Sequence, residues 1–164
     1  MATTIDSTTW EARSEQLTLP GRAFIAGESA DARSGETFEK RSPIDGRHLA
    51  DVAACDAPDV DAAVRAARKA FDAWAGLAPR ERKRLLLGYA ALIADAKEEL
   101  ALLATLEMGK PIGDALSEVD YTVQCIAYYA EAIDKVFGEI GPTGPDSLAL
   151  VTREPAGVVG AVTP

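Results

Sequence analysis

Histidine is nearly absent from this 164-residue chain, His48 being the only one. A histidine-rich metal centre is therefore excluded, and any Ser-His-Asp relay has little to draw on. Cysteine is almost as scarce: Cys55 and Cys125 are far apart and form no motif. Two thiols make no disulfide framework, so a reducing, cytoplasmic compartment is expected. Long apolar runs are missing too. The longest, residues 85–94, is interrupted and too short to cross a bilayer, and no secretory signal is visible, so no membrane partner is expected. Positive charge is the minority, with 17 Lys and Arg against 26 Asp and Glu for a net charge of −9. An acidic surface repels phosphate backbones, which argues against nucleic acid as a partner.

What is present is the composition of a globular domain, 48% apolar and 26% charged, long enough to bury a core. Residues 1–20 are mostly polar, with Trp10 and two leucines as large anchors, and read as a loosely held arm with one short helix. Residues 22–54 read as short strands, with a turn centred on Gly27 and another in "SPIDGR". Helices follow. The first has Asp56 as N-cap and Pro58 in its first turn, with Val60, Ala63, Val64, Ala67, Phe71 and Trp74 at helical spacing on a buried face. Pro79 opens the next, whose apolar stripe continues through Leu100, Leu103 and Leu106 until Gly109 and Pro111. A last helix is predicted over 114–137, then a Gly/Pro-rich loop, "GEIGPTGPD", and strands over 147–154 and 157–163. The order of strands, helices and strands predicts a mixed α/β domain. Its last two strands have few partners within the chain, so either another chain or further sequence is expected to cover them.

Several stretches invite a site and fail on inspection. "EMGKP" at 107–111 lacks the glycine and hydroxyl residue of a phosphate loop, because Ala104 and Pro111 stand in those places. The alternative is a helix end, with Lys110 against the negative terminus. "GVVG" at 157–160 is not a dinucleotide fingerprint. Asp59 with Asp61, and Glu98 with Glu99, point different ways on a helix and read as solvated faces. Cys125, beside Ile126 on an apolar face, reads as a small buried hydrophobe.

Taken in order, "FIAGE", "ETFEKRSPIDGR", "DVDAAVRAARKAFDAWAGLAPRERKRLL", "LATLEMGKP", "YYAEAIDKVFGE" and "TREPAGVVGAVTP" resemble the amino-terminal third of an NAD(P)-dependent aldehyde dehydrogenase, from about residue 22 onward. The phrase "YAEAIDKVFGE" and the arm "WEARSEQLTLPGRAFIAGE" are most similar to the γ-glutamyl-γ-aminobutyraldehyde type of polyamine catabolism. The resemblance implies an N-terminal arm (1–21), the N-terminal part of a cofactor-binding domain of Rossmann-like type (22–137), an oligomerisation β-arm (138–155) and the first strand of the cofactor sheet (156–164).

By the same resemblance, the strand at 158–162 leads in the family to a Trp-Asn-Phe-Pro sequence whose asparagine serves the oxyanion hole. The catalytic cysteine and general-base glutamate lie further on, so this chain is expected to be a fragment, inactive alone. NAD or NADP is the implied cofactor, an aldehyde the substrate, and a homodimer or tetramer the assembly. Thr163 and Pro164 match backbone positions lining the cofactor cleft. The Lys40 and Arg41 backbone with Glu107 match a monovalent-cation site, although Glu replaces the commoner Asp; a Glu107 ion pair with Lys40 or Arg41 is the alternative. Glu118 and Tyr121 match the helix lining the substrate entrance, where Glu118 is expected to attract the cationic end of an aminoaldehyde, or else to be a solvated carboxylate. A stand-alone, non-catalytic acidic interaction module remains the rival reading of the whole chain.

Overall fold

The computed structural model describes residues 7–163. Along the chain run α1 (Ser7–Gln16), β1 (Ala23–Ile25), β2 (Glu28–Ala30), β3 (Thr37–Arg41), β4 (His48–Ala53), α2 (Ala57–Ala75), α3 (Pro79–Asp95), α4 (Lys97–Met108), α5 (Ile112–Ala132), β5 (Glu139–Gly141) and β6 (Ala149–Val151). The strands form three separate antiparallel pairs, β1–β2, β3–β4 and β5–β6. Ile25 lies opposite Glu28, leaving a two-residue turn in which Ala26 and Gly27 both have positive φ (56° and 88°), as a type I′ hairpin requires. The chain just ahead of β1 is held tightly at Gly21. Ala53 donates its N–H to the Gly21 carbonyl at 2.7 Å, and a Cβ at Gly21 would overlap the Asp51 carbonyl oxygen.

The start of α2 corrects the sequence reading of Asp59. That carboxylate is only 3% exposed and accepts the backbone N–H of Asp56 at 3.2 Å and of Arg33 at 3.2 Å. It satisfies donors that the first turn leaves open and ties the β2–β3 connection to the helix. The face of α2 predicted to be buried is largely open instead, with Val60 57% and Val64 46% exposed. The helix lies beside β1 rather than under the helical core.

That core is built by α5 packing along α3 and α4. Ala90, Ala101, Ala115 and Ala130 are buried with Leu102 and Leu106, so small side chains let the helix backbones approach closely. The continuous apolar stripe of the sequence hides a break at Ala96, where ψ turns to 13° and separates α3 from α4. Periodicity survives such a bend and so does not reveal it. Gly109 ends α4 in the left-handed region (φ 77°), its N–H donating to the Thr105 carbonyl at 2.9 Å, and Pro111 leads into α5.

The carboxyl-terminal part departs most from expectation. The last helix ends at Ala132, not 137, and Phe137 is 75% exposed. The predicted 138–146 loop contains β5, and β6 is shorter than the strand expected over 147–154. A Cβ at Gly138 would overlap the Val151 carbonyl oxygen, so this hairpin, too, begins on a close backbone contact. No strand forms over 157–163 among the described residues. The reason is physical: a strand is stabilised by a neighbouring ladder, and none lies beside this segment.

Candidate functional site

Two junctions carry the residues singled out by sequence. At the first, the β3–β4 turn meets the carboxyl end of α4. Ser42 is buried in that turn, donating its N–H to the Arg47 carbonyl at 2.9 Å and accepting the Ile44 N–H on its hydroxyl at 3.2 Å. A Cβ at Gly109 would sit 3.4 Å from the Pro43 ring, which shows how closely the helix end approaches. Lys40 pairs with Ala50, and the register shifts between Lys40 and Arg41. A bulge of this kind breaks the regular ladder locally, which suits backbone carbonyls to a ligand. The Arg41 guanidinium is turned to the Glu39 carboxylate at 2.6 Å and the Gly46 carbonyl at 3.1 Å, not to Glu107. Glu107 is exposed and has no ion pair among the described residues.

At the second junction, α4 turns back into α5. Glu118 and Tyr121 share a face of α5, as their spacing predicted, and Tyr121 is 74% exposed. Cys125 follows and is exposed rather than buried. Lys110 has a partner that sequence reasoning did not name. Its ammonium forms an ion pair with the Glu118 carboxylate rather than simply facing the helix end. The two are eight positions apart, across the Gly109–Pro111 turn. That pairing becomes visible only once α4 and α5 are known to fold back on each other. A second ion pair, Lys97 to Asp120 at 2.6 Å, spans the same two helices.

Glu118 also stands on the rim of an open groove of about 510 Å³ between α3 and α5, walled by Tyr89, Leu92, Ile93, Leu100 and Val119. An apolar trough with charge at its edge can take an organic chain with a polar head. The Cys55 thiol is not a ready nucleophile by its surroundings. Lost hydration, then the Asp59 and Asp56 carboxylates, hold the Cys55 thiol above its ordinary value of 9.0, so it stays protonated near neutrality. Thr163 is exposed on irregular chain, and Pro164 lies outside the described residues. Among the described residues, nothing approaches within 4 Å of where a Cβ would stand at Gly157 or Gly160.

Comparison with known proteins identifies the family. The aldehyde dehydrogenase family matches residues 30–164. The chain belongs to that family. Over 151 residues it is 45% identical to the aminoacetaldehyde dehydrogenase of Pseudomonas aeruginosa, covering 90% of this chain and 30% of that protein. The structure of a γ-glutamyl-γ-aminobutyraldehyde dehydrogenase from Burkholderia cenocepacia superposes with a TM-score of 0.89 at 53% identity, over 92% of this chain and 31% of that one. An indole-3-acetaldehyde dehydrogenase of P. syringae, solved in complex with NAD+ and IAA, gives 0.90 at 49% identity, over 94% and 32%. The chain spans less than a third of the length of each of these aldehyde dehydrogenases. Among the described residues, no helix is long and apolar enough to cross a membrane.

Proposed function

We propose that this chain serves as the amino-terminal part of an NAD(P)-dependent dehydrogenase that oxidises aminoaldehydes to carboxylic acids in the cytoplasm. The observation that carries the reading is the unbroken family match over 30–164 together with high identity to two enzymes whose names specify aminoaldehydes. Residues 22–137 and 156–164 contribute to the cofactor-binding domain, and residues 138–155 form an arm that extends a neighbouring subunit's sheet in a dimer or tetramer. The exposed apolar residues of that hairpin, Ile140, Leu148 and Leu150, support a partner there.

When bound, the nicotinamide cofactor supplies the hydride acceptor. The residues of this chain bind and orient. The backbone at Thr163 and Pro164 borders the cofactor cleft, and the Lys40 and Arg41 carbonyls with Glu107 hold a monovalent cation. Glu118 and Tyr121 line the substrate entrance. Because Lys110 already neutralises Glu118, an ammonium-bearing substrate reaches the carboxylate by displacing that lysine. In a complete enzyme carrying this chain, Glu118→Gln is expected to raise KM for aminoaldehydes about two- to fivefold and to spare neutral aldehydes, as suits an exposed ion pair. Lys110→Met shifts KM for aminoaldehydes the other way. Equal effects on charged and neutral substrates would remove Glu118 from recognition.

The chain by itself is proposed to be inactive, since it spans less than a third of the aminoaldehyde relatives it matches. A chimera joins residues 1–164 to the matching remainder of the Pseudomonas aeruginosa enzyme. Aminoaldehyde-dependent NAD(P)H formation by the chimera, and none by the chain alone, is the expected result. A folded but inactive chimera, or activity in the isolated chain, overturns the proposal.

A further inference from the structure

We propose that Arg153 is a positioning residue for the β5–β6 arm, fastening its returning strand to the foot that leaves the helical body so that the arm meets a neighbouring subunit already formed. This builds on residues 138–155 acting as the arm of an oligomer, and names what holds that arm in place. Two strands of three residues make a hairpin that is marginal in water, and here residues 142–148 lie between them. Apolar burial contributes little, because the cross-strand partners Ile140 and Leu150 are 73% and 62% exposed.

What closes the hairpin is polar. At its tip the Thr143 hydroxyl donates to the Ser147 carbonyl at 2.5 Å, and Ser147 donates its N–H to the Gly144 carbonyl at 3.1 Å. At its base Glu139 pairs with Val151, and Arg153 Nε donates to the Phe137 carbonyl at 3.0 Å. The Arg153 guanidinium also stands 3.8 Å from the Glu139 carboxylate. The two feet differ in how they are held. The outgoing foot is rooted in the body: Lys135 donates to the Glu131 carbonyl at 2.6 Å and pairs with Asp134 at 2.7 Å, while Lys83 of α3 reaches Glu131 at 2.7 Å. The returning foot runs into irregular chain after Val151. Among the described residues beyond Val151, Arg153 is the one whose side chain forms a hydrogen bond or ion pair. A charged donor on a carbonyl makes a stronger bond than a neutral one. A hairpin closed beforehand also lowers the ordering cost that association would otherwise meet. Glu139 and Val151 share the face opposite to Ile140 and Leu150, so the lock leaves that apolar pair to the partner.

Amide exchange on the 1–164 chain and sedimentation of the chimera test this together. Arg153→Met keeps most of the stem and loses the donors. It should speed exchange over 139–141 and 149–151 about three- to tenfold, and leave α4 and α5 unchanged. Arg153→Lys retains a donor and should recover part of that protection. Glu139→Gln removes only the more distant carboxylate and should change exchange less than about twofold. In the chimera, Arg153→Met should weaken self-association about three- to tenfold, while the denaturant midpoint of the 1–164 chain stays put. The positioning role is overturned by parent arm amides that exchange at the unprotected rate, by no response to Arg153→Met, or by an equal acceleration in α5. An effect of Glu139→Gln as large as that of Arg153→Met, or no recovery with Arg153→Lys, overturns it too. So does a chimera whose association is weakened by Ile140→Asp but not by Arg153→Met. A chimera that does not self-associate, or whose association neither substitution alters, overturns the arm reading along with it.

Discussion

Leu102 and Leu106 on α4 are each 5% exposed, whereas Leu148 and Leu150 at β6 are 71% and 62% exposed. The residue type is the same, so hydrophobicity did not decide the outcome. A helix satisfies its own backbone within the segment, and α4 needs only a neighbouring apolar surface, which α5 provides. A strand needs both a surface and a ladder on its edges. The β5–β6 pair supplies one edge to each strand and leaves the others, and both faces, without cover from this chain. What separates the helical body from the carboxyl-terminal arm is therefore how much of each element's demand the same chain can meet. The arm's exposed leucines mark unmet demand rather than poor folding.

The contrast can be broken at its strongest point. Leu102→Ala removes a buried side chain from the α4 face and should destabilise the chain by about 2–5 kcal/mol in denaturant unfolding. A loss well under 1 kcal/mol would mean that the helical body is as loosely satisfied as the arm. Ile140→Asp, in a strand whose side chain is 73% exposed, should change stability by no more than about 0.5 kcal/mol. The same substitution should weaken self-association of a complete enzyme, seen by sedimentation. A large loss of stability in the isolated chain would show that the arm is buried after all.

The smallest effect concerns the ion pairs on the body's surface. Hydrogen bonding from Lys83, which reaches Glu131 across α3 and α5 at 2.7 Å, lowers the Glu131 carboxyl below its ordinary value of 4.5. A carboxyl depressed in the folded state adds stability above its unfolded value, and that stability is lost as pH falls through the folded one. Glu131→Gln should therefore narrow the gap between stability at neutral pH and at acid pH below 4.5. An unchanged acid profile would show the pair to be energetically silent, as many exposed pairs are.

The parts of the fold legible in the sequence were those written in local chemistry. Asp56, Pro58, Pro79, Gly109 and Pro111 marked helix ends correctly, and Gly27 marked its hairpin. What was hidden depended on distant neighbours. Asp59 looked like a solvated helix carboxylate because its partner Arg33 belongs to a connection 26 residues earlier. Cys125 looked buried because Ile126 beside it suggested an inward face, which α5 does not present at that position. The 157–163 segment has a strand's composition but no neighbour to pair with. At the candidate site, the shared face of Glu118 and Tyr121 followed from helical spacing alone. The Lys110 ion pair did not, since nothing in a linear pattern says that α4 and α5 run back to back.

The close contacts at Gly21 and Gly138 have a consequence for how freely this protein can vary. In each case the atom that a side chain would strike is a main-chain oxygen on the opposing strand, so no repacking of side chains can make room. Gly144 and Gly160 face open space and have φ outside the left-handed range. In a saturation library sorted for soluble, folded chains, codons for anything but glycine should vanish at 21 and 138, while 144 and 160 accept most of the alphabet.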